Sequence, residues 1–427
     1  MQSTHGDRLF DRICALRGHK PAGPVWLGVG AMSPVFTSAQ EVVNTLRPRD
    51  PVLCVRPGVL EQNAQRMIAA FPGDVLYAVK CNAGQPVLDA LYAGGVRHFD
   101  TATIAEVRQV SDRYADAECH FMHPVKSRDA IAEAYFVHGV RSFVVDHPDE
   151  LDKILDVTEN AADMTMSVRL EIPNRNAMMS LHGKFGATPA EASALLKSVA
   201  ASGNRTGLTF HVGSQCVDTA AFAHAIDLCG TVIRQAGVVL DVLDVGGGFP
   251  GYYTGEEPEF AAFVAAIVSG CKRIGLPETC RLQCEPGRAL VADAVSVIAR
   301  VELRRGSKLY INDGTYGSLA ELKYLGNCFP MQVVRPEDEG QATGPLAGFD
   351  LFGPTCDTVD TMPGPFWLAD DIREGDWIEI GRLGAYSSAL STRFNGCAAA
   401  KWVCVSDDVV LTSTRVASLE ELRRRAA

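Results

Sequence analysis

Several short segments end in residues that together could hold a phosphate and activate a carbonyl. Lys80 closes Tyr77-Ala78-Val79-Lys80-Cys81-Asn82. An apolar run that ends inward on lysine suggests an amine with a task, because burial lowers an ammonium pKa and makes the free amine a nucleophile towards carbonyls. The alternative is a surface lysine at a strand end. Gly246-Gly247-Gly248, within Asp244–Gly251, would let backbone N–H groups close on a phosphate without Cβ clashes, or would simply make a tight turn. Arg288, at the end of Glu285-Pro286-Gly287-Arg288, would add positive charge to the same phosphate, or sit in a surface salt bridge. His211, in Phe210-His211-Val212-Gly213-Ser214, offers a flat ring for stacking, and Ser214 a hydroxyl for the phosphate; a satisfied core histidine is the plainer alternative. Glu285 is a carboxylate that would keep a pyridine nitrogen protonated by ion pairing, or serve only structurally.

These residues need elements to bring their ends together. Eight short β-rich runs alternate with Ala/Leu-rich stretches of helical period: Asp74–Lys80, His98–Thr103, Cys119–Val125, Ser142–His147, Met164–Ile172, Gly207–Ser214, Val242–Gly248 and Arg281–Gly287. Between them the period predicts helices over Ile104–Tyr114, Ser127–His138, Pro189–Ala201, Thr219–Ala236 and Glu257–Ile274. Strand–helix alternation means parallel βαβ units, and eight of them predict an α/β fold with a closed (β/α)8 TIM-like barrel, whose functional residues sit at the C-terminal ends of the strands. Beyond about residue 288 the pattern turns to strands with Gly, Pro and Asp punctuation: Val295–Arg304, Lys308–Asn312, Phe366–Leu368, Trp377–Ile380 and Ala400–Val405. This reads as a second, C-terminal β-sandwich or β-barrel domain. The expected division is 1–49 as an N-terminal segment partly joining the β-domain (through Val25–Val29), 50–287 as the barrel and 288–427 as the β-domain. Arg335–Gly348, rich in Pro, Gly, Asp and Glu, reads as a surface loop.

Composition bounds the rest. The 427 residues suit two domains, and 47% hydrophobic with 21% charged residues is ordinary for a globular protein. A formal net charge of −11 argues against nucleic-acid and anionic-membrane partners, which it would repel. Thirteen cysteines without a Cys-x-x-Cys pair read as reduced thiols, neither a disulfide framework nor a zinc site, and no metal is expected. With no apolar run of membrane-spanning length and no signal-peptide pattern at the start, the cytoplasm is the expected location.

Taken in order, Tyr77–Asn82, His211–Ser214, Gly246–Gly251, Glu285–Arg288, Gly353-Pro354-Thr355-Cys356-Asp357 and Phe394-Asn395-Gly396 resemble the fold-type III pyridoxal-phosphate (PLP) decarboxylases of the ornithine/lysine/diaminopimelate group, over about residues 50 to 400. The resemblance independently implies a barrel plus a β-domain, with pyridoxal 5'-phosphate as cofactor. It implies that Lys80 carries the cofactor as a Schiff base and that His211 stacks on the ring. Ser214, Gly246, Gly247, Gly248, Gly287, Arg288 and Tyr386 would surround the phosphate, Glu285 would pair with the ring nitrogen, and Asp100 and Arg169 would line the cofactor. Cys356 and Asp357 would reach the site of a partner subunit in a two-fold homodimer with shared active sites, Cys356 as proton donor to Cα. Lys184 and Asp360 match an intersubunit salt bridge.

The substrate end departs from the eukaryotic ornithine decarboxylases. Where those place an aspartate after Asp-Gly-x-Tyr-Gly-Ser, this chain, with Asp313-Gly314-Thr315-Tyr316-Gly317-Ser318, has Leu325. The pattern looks closer to bacterial ornithine/lysine decarboxylases, with Glu321 as candidate acidic group for a distal amine, or alternatively a solvated loop carboxylate; Asp357 and Tyr316 complete the expected substrate contacts. The Cys-Glu-Ser/Thr pattern of diaminopimelate decarboxylases is missing, which favours a diamino acid with one carboxylate: ornithine, giving putrescine, with lysine or another diamino acid of a specialised pathway as the alternative. An amino-acid racemase would pair an arginine, not Glu285, with the ring nitrogen. A catalytically inactive regulatory homologue would be expected to lose Lys80, the glycines or Cys356.

Overall fold

All eight predicted barrel strands form. In the computed structural model, which describes residues 35–172, 177–179, 183–407, 418 and 420, the strands Asp74–Ala78, His98–Thr101, Glu118–Phe121, Ser142–Val145, Thr165–Leu170, Arg205–Phe210, Val242–Asp244 and Arg281–Cys284 close into one parallel barrel. Closure is made by the last strand against the first, with Gln283 opposite Asp74 and Cys284 opposite Val75. Val75–Ala78, Phe143–Val145 and Leu208–Phe210 are buried throughout, as expected of strands covered on one side by helices and filled on the other by side chains.

The helices that cover the barrel begin and end where the sequence supplies caps. Thr219–Ala236 starts at Asp218, whose carboxylate accepts from Ala220 N–H, and stops at Gly237 in the left-handed conformation. Pro189–Ala201 starts in a Thr188/Glu191 capping box. The helix expected from Glu257 begins instead at Phe260. Glu257 is used otherwise: its carboxylate accepts the N–H groups of Tyr253, Thr254 and Gly255 and fixes the loop that follows the triple glycine. Pro57–Ala70, Gln85–Ala93 and Pro148–Val157 are further helices of the outer layer.

The second sheet has nine strands, in the order Val35–Phe36, Lys401–Val405, Val52–Val55, Val295–Arg305, Lys308–Ile311, Leu346–Phe352, Thr361–Ala369, with Trp377–Ile380 also on Val295–Arg305 and Met331–Val334 on Trp377–Ile380. Val52–Val55, which the sequence assigned to the barrel, belongs here. All four residues are buried, and their backbone pairs antiparallel with Val295–Ile298 and parallel with Lys401–Cys404. Val35–Phe36, pairing with Cys404 and Val405, brings the early chain to this sheet; the expected run Val25–Val29 lies outside the described residues. The expected loop Arg335–Gly348 is narrower than predicted. Arg335 is buried against Asp376 and Asp371, and Leu346 already starts a strand. No described helix is long and apolar enough to cross a membrane, and the twelve described cysteines are free.

Arg56 locks the start of the barrel to this sheet. Both it and Glu379 are buried; Arg56 Nη2 lies 3.1 Å from Glu379 Oε1, and Ser296 Oγ bonds to both. Removing one partner leaves a buried charge uncompensated. Arg56→Leu is therefore expected to lower the unfolding free energy in urea by about 3–5 kcal/mol, and the double change Arg56→Leu with Glu379→Leu to recover only part of it, because Asp407, 2.8 Å from Arg56 Nε, still loses its partner.

Candidate active site

Lys80 sits in a 3-10 turn, Val79–Cys81, directly after the first barrel strand. Its amine forms a salt bridge with Asp100, at the end of the second strand. The lysine side chain remains 41% exposed while Asp100 is buried, so the amine is reachable from the barrel mouth but its partner is not. Burial pulls the ammonium pKa down, and the carboxylates of Asp100 and Glu285 push it up further, leaving it above its ordinary value. Glu106 adds a half-buried carboxyl next to this pair, raised by burial and held by Ala102 N–H at 2.6 Å.

Glu285 ends the last strand, and its carboxyl shares a hydrogen bond with Asp244, at the end of the strand before it. Asp244 is fully buried and accepts from Gly246 N–H at 2.8 Å and from Thr209 Oγ1 at 3.2 Å. Burial, followed for Glu285 by the repulsion of Asp244 and Asp100, raises both groups: Asp244 to about 6 and Glu285 well above the usual carboxyl range. Both carboxyls therefore hold their protons more tightly than free carboxyls do.

The glycines sit between these groups. Gly246 and Gly248 have φ of 65° and 102°, and a Cβ on them would lie 1.9 Å from Phe210 O and 2.3 Å from Gly213 O. A Cβ on Gly247 would come within 3.0 Å of His211 Nε2 and 2.6 Å of Glu285 O. Only glycine permits this backbone to press against both neighbouring strand ends. The loop is stitched to the Ser214–Cys216 ribbon by Cys216 N–H to Gly248 O and by a reciprocal amide pair between Gln215 and Gly251. Ser214 thereby lies 3.5 Å from Arg288 Nη2.

Arg288 is buried, bonds to Tyr253 Oη at 2.8 Å and forms a salt bridge with Glu321. Its guanidinium lies 5.1 Å from the Tyr386 ring centre. Tyr386 comes from the β-domain side and is fixed by its N–H to Cys81 O at 2.9 Å, while Asn82 Nδ2 bonds to Gly384 O at 2.8 Å. His211 is held by Gly213 N–H on its Nδ1, and burial pushes its pKa down to about 3, so it is neutral. Arg169 faces His211 electrostatically and lies 5.7 Å from the Phe185 ring centre. Gly287 packs on Cys81, where a Cβ would come within 2.9 Å of the Cys81 Cβ.

One expectation is corrected. Glu321 is neither a solvated loop carboxylate nor a free acid for a distal amine: it is 2% exposed, in the helix Ala320–Leu325, and committed to Arg288. Asp360, expected to face Lys184 across a subunit interface, is 2% exposed within its own chain and accepts from Thr315 N–H and from Thr355 N–H and Oγ1, bracing its own loop. Cys356, Asp357 and Tyr316 form a separate, solvent-facing cluster. Tyr316 Oη donates to Asp357 at 2.5 Å, and Asn395 Oδ1 accepts from Cys356 N–H at 3.3 Å. Among the described residues no hydrogen bond joins this cluster to Lys80, Asp100 or Glu285. Asp244 and Glu106 escaped sequence reading. Asp244 had a signal, since it stands directly before the glycine turn.

The residues suit a pyridoxal phosphate. There is a reachable amine, a glycine-lined cradle with a buried arginine and two hydroxyls for a phosphate, a neutral ring to cover a planar face, and a carboxyl pair that stores a proton. The buried Asp100 Oδ1 and Arg288 Nε also lack protein partners. Because Asp244 ionises at about 6 instead of near 3.8, the folded apoprotein holds a proton that the unfolded chain releases. That stabilisation is complete below about pH 3.8 and is lost as the pH rises through about 6. Wild-type apoprotein is expected to lose roughly 1–2 kcal/mol more unfolding free energy than Asp244→Asn between about pH 5 and about pH 7, measured in urea.

Comparison with known proteins agrees. Residues 58–292 match the family described as "Pyridoxal-dependent decarboxylase, pyridoxal binding domain". The chain is 30% identical over 405 residues to a lysine/ornithine decarboxylase of Selenomonas ruminantium, covering 92% of this chain and 99% of that one. It is 30% identical to antizyme inhibitor 2 of Xenopus laevis over 388 residues, 84% of this chain and 82% of that one. The solved lysine/ornithine decarboxylase of Vibrio vulnificus with putrescine superimposes at a TM-score of 0.73 and 31% identity, over 87% of this chain and 99% of that one. The chain therefore belongs to the pyridoxal-dependent decarboxylases, with a closed barrel and a mostly-sheet C-terminal domain, and pyridoxal 5'-phosphate is its cofactor.

Proposed function

We infer that the chain decarboxylates a basic L-amino acid with a single carboxylate, with ornithine, giving putrescine, as the first candidate and lysine as the second. The observation that carries this reading is the pairing of Lys80 with Asp100 beside the proton-sharing Asp244–Glu285 pair. The cofactor, when bound, supplies the electron sink for loss of the carboxylate. Lys80 presents the amine that holds it, and Asp100 takes and returns the lysine proton. Glu285, backed by Asp244, holds a proton at the ring-nitrogen end of the site, which favours full electron withdrawal and separates this chain from a racemase. Arg288, Ser214, Tyr386, Gly287 and the N–H groups of Gly246–Gly248 bind the phosphate, with Glu321 and Tyr253 orienting the arginine. Neutral His211 packs on the ring face, and Asp100 and Arg169 line the sides.

Asp357 serves as the acid for the distal ammonium. The hydroxyl of Tyr316 holds its pKa below the ordinary value, so it is an anion at neutral pH. Cys356 beside it is exposed, as a proton donor to a substrate carbon must be. Both reach a site only if a second copy brings them there, which requires a two-fold homodimer with shared sites. The kinship with a protein named an antizyme inhibitor gives an inactive homologue as second reading; retention of Lys80, the glycine cradle and Cys356 favours the enzyme.

Trapping CO2 from L-ornithine, L-lysine, L-arginine and meso-diaminopimelate in turn tests substrate and class. We expect release from ornithine or lysine by wild type and none by Lys80→Ala; no release from any of the four would favour the inactive homologue. Mixing Lys80→Ala with Cys356→Ala tests the shared site. Random exchange of subunits should restore about a quarter of wild-type activity from two nearly inactive parents, because half the dimers then hold one intact site of two. No recovery would place Cys356 in its own chain's site.

A further inference from the structure

The opposite end of the barrel carries a second group of ligating side chains. His98 opens the second strand, and Glu118 opens the third, with His120 two residues on. The strand period of two puts Glu118 and His120 on the same face. His98 Nδ1 lies 3.2 Å from His120 Nε2 and 3.6 Å from Glu118 Oε2. Around one zinc ion with bonds of about 2.0–2.1 Å, tetrahedral ligand atoms are roughly 3.3 Å apart, so these separations suit a shared ion without backbone movement. The ligating atoms offered by all three residues lie within 4.8 Å of one another.

The surroundings are those of a built site. The other nitrogen of His98, Nε2, faces Asp74 Oδ1 at 3.6 Å, and Asp74 is itself anchored by Arg281 and by Gln283 at 3.1 Å. A carboxylate behind a histidine orients the ring and raises its basicity towards a metal. His120 is buried, and its Nε2 faces His98 Nδ1 directly. Its Nδ1 is buried without a protein partner. A cavity of about 100 Å³, lined among others by Glu118, His120, Arg141 and Gln283, opens beside the cluster and has room for a water ligand. Of the three arginines that line the cavity, Arg281 is paired with Asp74 and Arg141 with Asp163, and Arg205 is the third.

We propose that His98, His120 and Glu118 form a zinc site at the floor of the barrel, with a water in the fourth position. Imidazole nitrogen and carboxylate oxygen are the ligand types zinc takes. The site lies at the N-terminal ends of strands whose C-terminal ends carry the chemistry, so the ion clamps the second and third strands and has a structural role. The cysteine spacing points to no metal, and the ligands here are two histidines and a glutamate that only the strand pairing brings together.

The test uses cofactor-saturated protein stripped by a chelator and titrated with ZnCl2 by calorimetry, with Co²⁺ as spectroscopic probe. We expect one equivalent bound per chain, a raised thermal midpoint, and a cobalt spectrum of nitrogen/oxygen ligation without a thiolate charge-transfer band. Glu118→Gln and His98→Gln should weaken binding by about tenfold or more while leaving decarboxylation unchanged. Cys356→Ala should bind as wild type does. Absence of saturable binding, or equal binding by Glu118→Gln and His98→Gln, would overturn the proposal; Glu118 is exposed, so its variant is expected to fold.

Discussion

Charge balance at the upper end of the barrel governs this structure. Asp100, Asp244 and Glu285 are all buried within reach of one another's fields, and a single lysine amine stands among them. Carboxylates so placed cannot all ionise together unless positive charge is supplied. Within the chain the balance is met by the Lys80 ammonium and by a proton kept on the Asp244–Glu285 pair. A cofactor whose ring nitrogen accepts a proton takes over part of that duty. In the proposed chemistry, the same crowding that is costly to the apoprotein would favour electron withdrawal once the site is filled.

The β-domain takes part in this arrangement at two places. Its Gly384–Tyr386 segment is pinned to Cys81 and Asn82, directly after Lys80, so the phenol of Tyr386 and the buried Arg288 meet over the glycine turn. Glu321, in the helix Ala320–Leu325, neutralises Arg288 from behind. A buried arginine paired in this way keeps a fixed direction towards Ser214 while its charge is stabilised. The Cys356–Asp357–Tyr316 cluster lies apart and open to solvent, which makes one chain's site incomplete in the proposed chemistry.

Much of this was legible in the residues. The eight barrel strands are short, β-rich and separated by stretches of helical period, and parallel strands buried on both faces leave that signature in any sequence. Lys80, His211, the triple glycine, Glu285 and Arg288 could be placed because each follows a strand and barrel chemistry collects there. Residues defined by long-range pairing were harder. Glu321 read as a substrate acid because the local pattern says nothing of Arg288, thirty-three positions earlier in the chain. Asp360 read as a partner for Lys184, and nothing in the neighbouring residues announces the loop hydrogen bonds that it accepts. Val52–Val55 has the composition of a barrel strand and differs only in its partners. His98 and His120 are twenty-two positions apart and meet only because neighbouring parallel strands lie side by side.

The central claim is that Lys80 is where pyridoxal phosphate is held. Lys126 is the natural competitor: burial pulls its pKa down to about 8, but it is enclosed, with Val144 O at 2.7 Å and Glu150 at 3.0 Å. Reduction of the holoenzyme with borohydride, followed by proteolysis and mass mapping, decides between them. The account predicts the reduced cofactor's added mass on the peptide containing Lys80 and on no other. The added mass on the Lys126 peptide, or on neither, would contradict it.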